Sequence, residues 1–322
     1  MDYFRLQLFF VLMALLIANI LLFDQLSTIE LWSMGMVSLA MIHHAVVIFP
    51  FIPFKKKVLS ESKHPISLLS VNVLQKNNNY EALLQLIEEV KPHLLLTMES
   101  NQDWEEALQK LPIPFPYSHK IAKENRYGMH LYSRLEVLNS QEHKLISNKF
   151  PSIEATIKDE NNEVFTFWGV HPPPPSPTEA PSSKQKDGEF MMLAKEIKTK
   201  DVPVLVAGDF NSVCWSRSSK RFAKFSGLKD ARLGRGFHST FPVKPKIFRF
   251  PIDLLFHSNK IVIQKLETLS DIGSDHLPLL SIFSVIPTKK AMNNELGKEE
   301  KEEIEELIER GKNAARKEDM SK

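Results

Sequence analysis

Two long apolar runs open the chain, and shorter alternating segments follow them. Leu6–Phe23 (LQLFFVLMALLIANILLF) carries no charge and is long enough to cross a bilayer core at roughly 1.5 Å per helical residue. Leu31–Phe54 also lacks Asp, Glu, Lys and Arg, and is interrupted only by His43, His44, Pro50 and Pro53. The short polar link Asp24–Glu30 makes the pair a hairpin of two predicted transmembrane helices. A cleaved signal peptide is the alternative for the first run. Its charged leader would hold only Arg5, offset by Asp2, and no small-residue cleavage site follows Phe23 before the second run. Lys55, Lys56 and Lys57 flank the second run and Arg5 the first, which predicts a multi-pass cell-membrane protein with its large C-terminal part in the cytoplasm. The mid-span pair His43 and His44 reads best as neutral imidazoles against a neighbouring helix.

After a polar linker (58–64) the pattern changes. Ile66–Leu74 and His93–Ser100 read as buried strands, and Glu81–Val90 between them has apolar residues at helical spacing. Asp103–Lys110 reads as a short helix. Tyr127–Ser133, Ile153–Ile157 and Val164–Val170 read as further strands. The proline loop HPPPPSPTEAPSS excludes regular structure, and the helix Phe190–Lys198 follows it. Val202–Ala207, Ile252–Phe256 and Leu277–Ser284 complete the strands. Strands that are apolar throughout, interleaved with helices, predict an α/β (α+β) body of two packed sheets with helices outside. The end of the chain is nearly all Glu, Lys and Arg, with a thin stripe of Ile304, Leu307 and Ile308; it reads as a solvated helix or a frayed tail. The expected organisation is a membrane anchor (1–57, spans 6–23 and 31–54), the linker, a catalytic domain (65–286) and a charged tail (287–322).

Composition narrows the chemistry. The net charge is +2, so the whole chain is not an evident polyanion binder. The single cysteine, Cys214, excludes an intramolecular disulfide and a thiolate metal cluster. There is no HExxH, no GxxxxGK[ST] and no GxGxxG after a strand, which removes the corresponding zinc hydrolase and nucleotide-binding readings.

What remains are polar residues at the ends of apolar strands: Asn72, Glu99, Asp209, Asn211, Asp253, Asp275 and His276. One such residue is usually a cap or turn former. Repeated on five strands, the pattern points to a site. Carboxylate and amide oxygens suit a hard divalent ion, and a histidine beside an aspartate suits proton transfer.

The segments carrying these residues are Ser70–Val71–Asn72, Met98–Glu99, Gly169–Val170–His171, Gly208–Asp209–Phe210–Asn211, Pro251–Ile252–Asp253 and Gly273–Ser274–Asp275–His276. In order and spacing they resemble the endonuclease/exonuclease/phosphatase superfamily, the deoxyribonuclease-I-like fold. The resemblance spans about Pro65–Val285. It implies a four-layer α/β/β/α sandwich and hydrolysis of phosphate esters with Mg2+ or Mn2+. The implied metal residues are Glu99, Asn72 and Asp275. Asp209 and Asn211 would position phosphate and water, His276 held by Asp253 would act as base or charge stabiliser, and His171 would donate to a phosphate oxygen. The stretch VCWSRSSKRF and GLKDARLGRG is similar to that of bacterial membrane-anchored members. One departure is Leu254, where many relatives carry His or Tyr after the aspartate; it puts a substrate contact in doubt.

Between Arg217 and Arg249 ten basic residues face one acidic residue, Asp230. They read equally as a solvated face or as an electropositive rim for a phosphate-bearing substrate, nucleic acid or phospholipid head group. Arg217 and Arg249, with Arg126 and Tyr127, are the weaker substrate-binding candidates. A catalytically silent, membrane-tethered binding module of the same fold is the competing function.

Overall fold

The computed structural model describes residues 2–22, 27–53, 64–174, 183–286 and 297–320. The lysines at 55–57, most of the linker (58–63) and residues 175–182 of the proline loop lie outside them. Two apolar helices come first, α1 (Arg5–Leu22) and α2 (Thr28–Ile48), and both are candidate membrane spans. Ser27 caps α2 with a reciprocal Ser27–Glu30 box, which satisfies orphan amides at its start.

The body is two six-stranded sheets. The first holds β1 (Ile66–Asn72), β2 (Leu94–Met98), β3 (Tyr117–Ile121), β4 (Met129–Ser133), β11 (Ile261–Thr268) and β12 (Leu279–Val285), in the order β11-β12-β1-β2-β4-β3. The second holds β5 (Glu136–His143), β6 (Ser152–Lys158), β7 (Val164–Val170), β8 (Val204–Asp209), β9 (Lys229–Asp230) and β10 (Asp253–His257), in the order β5-β6-β7-β8-β10-β9. The helices are α3 (Tyr80–Val90), α4 (Gln102–Ala107), α5 (Lys184–Lys198), α6 (Arg217–Ser226) and α7 (Lys298–Met320).

Strand alternation sorts the side chains into layers. Leu68, Leu96, Ala155, Phe167, Leu205 and Phe283 meet between the sheets. On the other face of the first sheet, Leu69, Val71 and Leu95 pack under α3 and α4. Trp168, Val206 and Phe256 pack under α5, α6 and α7. The result is the four-layer sandwich. Leu83, Leu84, Leu86 and Ile87 of α3 are buried, each contributing about 1.5–3 kcal/mol relative to exposure.

Each sheet contains one parallel pair, β1–β2 and β7–β8, and the connections β1-α3-β2 and β7-α5-β8 cross over a sheet face. Both pairs therefore end on the same rim of their sheets. β10 runs antiparallel to β8 and β12 antiparallel to β1. The residues that open β10 and precede β12 thus arrive at that same rim.

The charged C-terminal segment is not wholly solvated. Ile304, Leu307, Ile308 and Ala315 of α7 are buried, and the stripe packs within the core beneath the second sheet. The helices α5 and α7 approach closely at two glycines. A Cβ on Gly311 would lie 2.8 Å from Gly188 Cα.

The hairpin also touches the body. Phe51, just after α2, lies in the core beneath the second sheet. Gly234 N donates to Pro50 O at 2.8 Å and Gly236 N to Phe51 O at 2.9 Å. Trp215 Nε1 donates to Asp2 O at 2.7 Å, and the rings of Tyr3 and Phe4 stand edge-on to Phe250.

Candidate active site

The rim shared by the two sheets carries the polar residues. Asn72 ends β1 and Glu99 follows β2; His171 follows β7 and Asp209 ends β8. Asp253, the first residue of β10, sits directly opposite Asp209 in the antiparallel register. Local backbone supports this. Gly208 has φ +148, and a Cβ there would lie 1.9 Å from Val170 O, so only glycine lets β8 lie against β7 before the aspartate. Glu99 (φ +60) and Asn211 (φ +47) occupy the left-handed region, which costs of order 1–3 kcal/mol each and is tolerated where the surroundings enforce it.

One oxygen is the meeting point. Asp209 Oδ2 lies 3.2 Å from Asn72 Nδ2, 3.6 Å from His171 Nε2 and 3.6 Å from His276 Nε2. Asp209 Oδ1 accepts from Asn211 N at 2.9 Å. Asn72 Nδ2 also lies 3.2 Å from Glu99 Oε1, which links the Asp209 centre to the Glu99 side. His276 Nδ1 is 2.8 Å from Asp253 Oδ2, so Nε2 is the nitrogen turned to the centre. Asn211 Nδ2 donates to Pro172 O at 3.0 Å, joining the loop after β8 to the loop after β7.

The electrostatics follow from burial and crowding. Burial alone pushes the His276 imidazole down, but Asp253, Asp209 and Asp275 outweigh it and raise the group to about 10. Burial raises the Asp209 carboxyl, with Asp253 adding to it against the two histidines. Burial also raises Glu99; Asn72 and the Gln75 amide oppose this and Asp275 adds to it.

Glu99 and Asp275 face a cleft of about 1020 Å3 that Arg126 and Tyr127 also line. Asp275 Oδ1 is buried with no hydrogen-bond partner among the described residues, which in a carboxylate marks a place for a cation. The carboxylates of Glu99 and Asp275 supply oxygen donors, as a hard divalent ion requires, while Asn72 turns its Nδ2 to Glu99 and its Oδ1 accepts from Leu74 N at 3.0 Å, so it orients Glu99. Asp209, Asp253 and His276 form a second cluster compact enough to hold a metal. The direct His276–Asp253 bond there fits a proton-transfer pair better, because Nδ1 and Oδ2 are already committed to each other.

Eight of the sequence-derived residues therefore share one rim: Asn72, Glu99, His171, Asp209, Asn211, Asp253, Asp275 and His276. Arg126 and Tyr127 flank it. Arg249 is turned into its own loop, donating to Pro242 O and Val243 O. Arg217 lies elsewhere, in a groove beside the hairpin. Leu254 is fully buried beneath the second sheet, on the opposite face from its neighbour Asp253.

Supporting residues went unread in the sequence. Ser274 Oγ donates to Asn72 O at 2.7 Å and accepts from His276 N at 3.1 Å, stapling the last motif to the first. Buried Arg232 donates to Asp253 O and Phe237 O. Gln75 N donates to Glu99 Oε2 at 3.2 Å, and Gln75 Oε1 accepts from Arg126 N. Phe241 stacks at 4.7 Å on the His276 ring. Tyr3 and Lys186 both donate to Asn211 O, at 2.7 and 2.9 Å. Only Ser274 carried a signal, its place in the GSDH motif.

The fold and this rim define a two-sheet phosphoester-hydrolase architecture. Residues 69–276 match the Endonuclease/Exonuclease/phosphatase family, and the chain belongs to it. No curated protein sequence matches the chain. Among solved structures, humanized D. rerio TDP2 is 14% identical, covering 69% of this chain and 99% of its own, with a TM-score of 0.57. The human nocturnin catalytic domain is 18% identical, covering 70% and 96%, with a TM-score of 0.54. The Bacteroides thetaiotaomicron mannosyl-6-phosphatase is 16% identical, covering 68% and 99%, with a TM-score of 0.57. These likenesses establish the fold.

Proposed function

We propose that the chain is a membrane-anchored, Mg2+-dependent hydrolase of phosphate esters, with residues 1–57 as the anchor and residues 65–286 as the catalytic domain on the cytoplasmic side. The observation that carries the reading is the convergence of Asn72, His171 and His276 on Asp209 Oδ2, beside the Glu99–Asp275 cleft. Glu99 and Asp275 would hold the ion, with Asn72 beside them orienting the Glu99 carboxylate. When bound, it would supply positive charge to the phosphoryl oxygens.

The remaining work falls to the chain's own groups. Asp209 Oδ2 orients the attacking water. Asp253 fixes the His276 ring, and the surrounding carboxylates favour its protonated form, so Nε2–H is posed to donate to an oxygen on which charge develops. His171 and Asn211 bind the same phosphoryl group from the other sheet. Arg126 and Tyr127 contact the rest of the substrate.

The membrane reading is supported by α1 and α2, whose apolar residues are largely exposed. It is also supported by the loop beside the start of α1. There Gln7 Nε2 donates to Ile247 O, and Ile247 and Phe248 are exposed between Lys246 and Arg249, a composition suited to a membrane interface. Because Phe4 packs on Phe248 of this loop and Tyr3 bonds Asn211 of the site loop, a phospholipid head group is favoured over nucleic acid as substrate.

The test is hydrolysis by the full-length chain in detergent with Mg2+ or Mn2+, given phospholipid and plasmid DNA in parallel. EDTA and His276→Ala serve as controls. Turnover of phospholipid lost in both controls supports the proposal; turnover of DNA alone reassigns the substrate. No turnover of either, or of bis(p-nitrophenyl) phosphate, sinks the hydrolase reading.

A further inference from the structure

The basic residues of α6 do not line the catalytic cleft. Arg217, Lys220, Arg221 and Lys224 recur at helical spacing and form one face of α6. That face meets the two apolar helices. It borders a groove of about 440 Å3 whose other wall is Arg5, at the start of α1, and His43 and Val47, near the end of α2. Five cationic side chains line the groove against two carboxylates, Asp2 and Glu303. Both carboxylates are occupied, Asp2 with Arg5 at 2.8 Å and Glu303 with Arg221 at 2.8 Å. Lys224 pairs with Glu300. Arg217 and Lys220 are exposed and have no acidic partner among the described residues. The groove therefore keeps an uncompensated positive charge.

Its position says what would neutralise it. α1 begins and α2 ends at the groove, so it lies where both apolar helices meet the body. Leu39, Ile42 and Val46 neighbour His43 and Val47 on α2 at helical spacing, and they are 64%, 55% and 67% exposed. A ligand seated here thus meets cations at one end and an open apolar stripe at the other. We propose that this groove binds the head group of an anionic phospholipid, its phosphate between Arg217 and Lys220 beside the Arg5–Asp2 pair and an acyl chain along Leu39, Ile42 and Val46. A free phosphate would use the cations but leave the stripe bare. The site is separate from the catalytic cleft, because Asp275, Glu99 and their neighbours line a different opening. Filling it would hold α6 and the N-terminal residues at a fixed depth against the bilayer. The residues between β8 and α6 are the site loop, which Tyr3 and Lys186 hold, so lipid occupancy has a short route to the catalytic rim.

The inference rests on the membrane-anchored reading, and the two fail separately. Alkaline carbonate extraction of membranes containing the full chain comes first; release into the supernatant removes the anchor and this proposal with it. For a chain retained in the membrane, native mass spectrometry in detergent then counts bound phosphatidylglycerol against phosphatidylcholine. Phosphatidylglycerol is expected to bind at least tenfold tighter. Arg217→Ala with Lys220→Ala should weaken it roughly 30-fold, the equivalent of about 1 kcal/mol for each basic side chain. Lys229→Ala, an exposed lysine outside the groove, should leave it unchanged. Equal binding of the two lipids, or an unaltered affinity in the double variant, overturns the proposal while the anchor stands. Competition by inorganic phosphate as strong as that of the lipid also overturns it, making the groove a phosphate site. Both substituted side chains are exposed, so a folding defect is not expected; an unchanged melting temperature checks this.

Discussion

The Tyr3 hydroxyl donates to the Asn211 carbonyl at 2.7 Å, joining the segment before the first apolar helix to the loop that follows Asp209 and carries Asn211. Burial raises the Tyr3 phenol well above its usual range, with Asp209 and Asp2 adding to it, so it stays a donor at any working pH. Asn211 sits in the left-handed region, where its backbone needs external support. Tyr3→Phe removes one neutral hydrogen bond of about 1 kcal/mol while Lys186 keeps the carbonyl partly held. The expected result is a fall in kcat of up to about fivefold, with KM nearly unchanged and a melting temperature lowered by about 2–4 °C. Unchanged kcat would mean that Tyr3 only fastens the hairpin.

Asp253 and Asp209 face each other across β10 and β8, and both address His276. Asp253→Asn keeps the shape of the strand but removes the charge that orients the ring. Phosphoester hydrolysis should fall by roughly 10²–10⁴-fold, the range for a lost proton-transfer group. Melting temperature distinguishes this from unfolding: a variant that is inactive because it has lost its fold would not support the assignment.

The carboxylates of Glu99 and Asp275 predict a metal effect that can be read without substrate. Mg2+ at 100 times its dissociation constant should stabilise the native chain by about 2.7 kcal/mol. EDTA should reverse the shift, and Glu99→Gln should abolish it. If Glu99→Gln keeps the full shift and Asp209→Asn loses it, the ion belongs instead to the Asp209, Asp253 and His276 cluster.

The rim was legible in the sequence because its residues end apolar strands, and strand ends are where alternation stops and polar side chains become conspicuous. The strands β3, β5, β9 and β11 were not read, and β9 is only two residues long. β5 is mostly exposed and polar along its length, so it lacks the apolar face that marks a strand. α6 was hidden by its basic residues, with Phe222 and Phe225 as its main buried apolar anchors. The partner of the Ile304, Leu307 and Ile308 stripe was equally invisible, since α5 shows no sign in sequence that α7 covers it. The docking of the hairpin had no signature at all. Its bonds fall on the carbonyls of Asp2, Pro50, Phe51 and Asn211, which every residue type carries.

Glu189 supplies a pH dependence independent of the metal. It is fully buried on α5, and burial raises its carboxyl to about 8 against two opposing amide donors, Ile146 N and Ser147 N. The folded chain therefore holds a proton that the unfolded chain loses near the ordinary value of 4.5. As pH rises above that value the unfolded state binds fewer protons, so stability falls, and it levels off above about 8. Glu189→Gln keeps an acceptor for both amides and has no proton to lose. Its melting temperature should match the native chain near pH 4 and exceed it by several degrees at pH 8.5, at roughly 2–4 °C per kcal/mol. Parallel curves for the two proteins would show that Glu189 is ionised in the fold.

Gly311 tests whether α7 is part of the body. Alanine is about 1 kcal/mol better than glycine inside a helix, so Gly311→Ala on a free tail would raise stability. At the observed crossing the new methyl would lie 2.8 Å from Gly188 Cα and 3.1 Å from Lys184 O, and the helices would have to separate. Overpacking of this kind costs about 1–3 kcal/mol, which outweighs the propensity gain over most of that range. The net expectation is a lower melting temperature, with Gly297→Ala, whose nearest atom is 3.9 Å away, as the neutral comparison. The end of the same helix reaches the cleft, where Lys149 bonds Glu318 at 3.1 Å and Glu318 lines the opening beside Glu99 and Asp275. Loosening the crossing should therefore raise KM for a phosphate-ester substrate as well as lower stability. A stabilised Gly311→Ala chain with native KM would show that α7 stands free of the sandwich in solution.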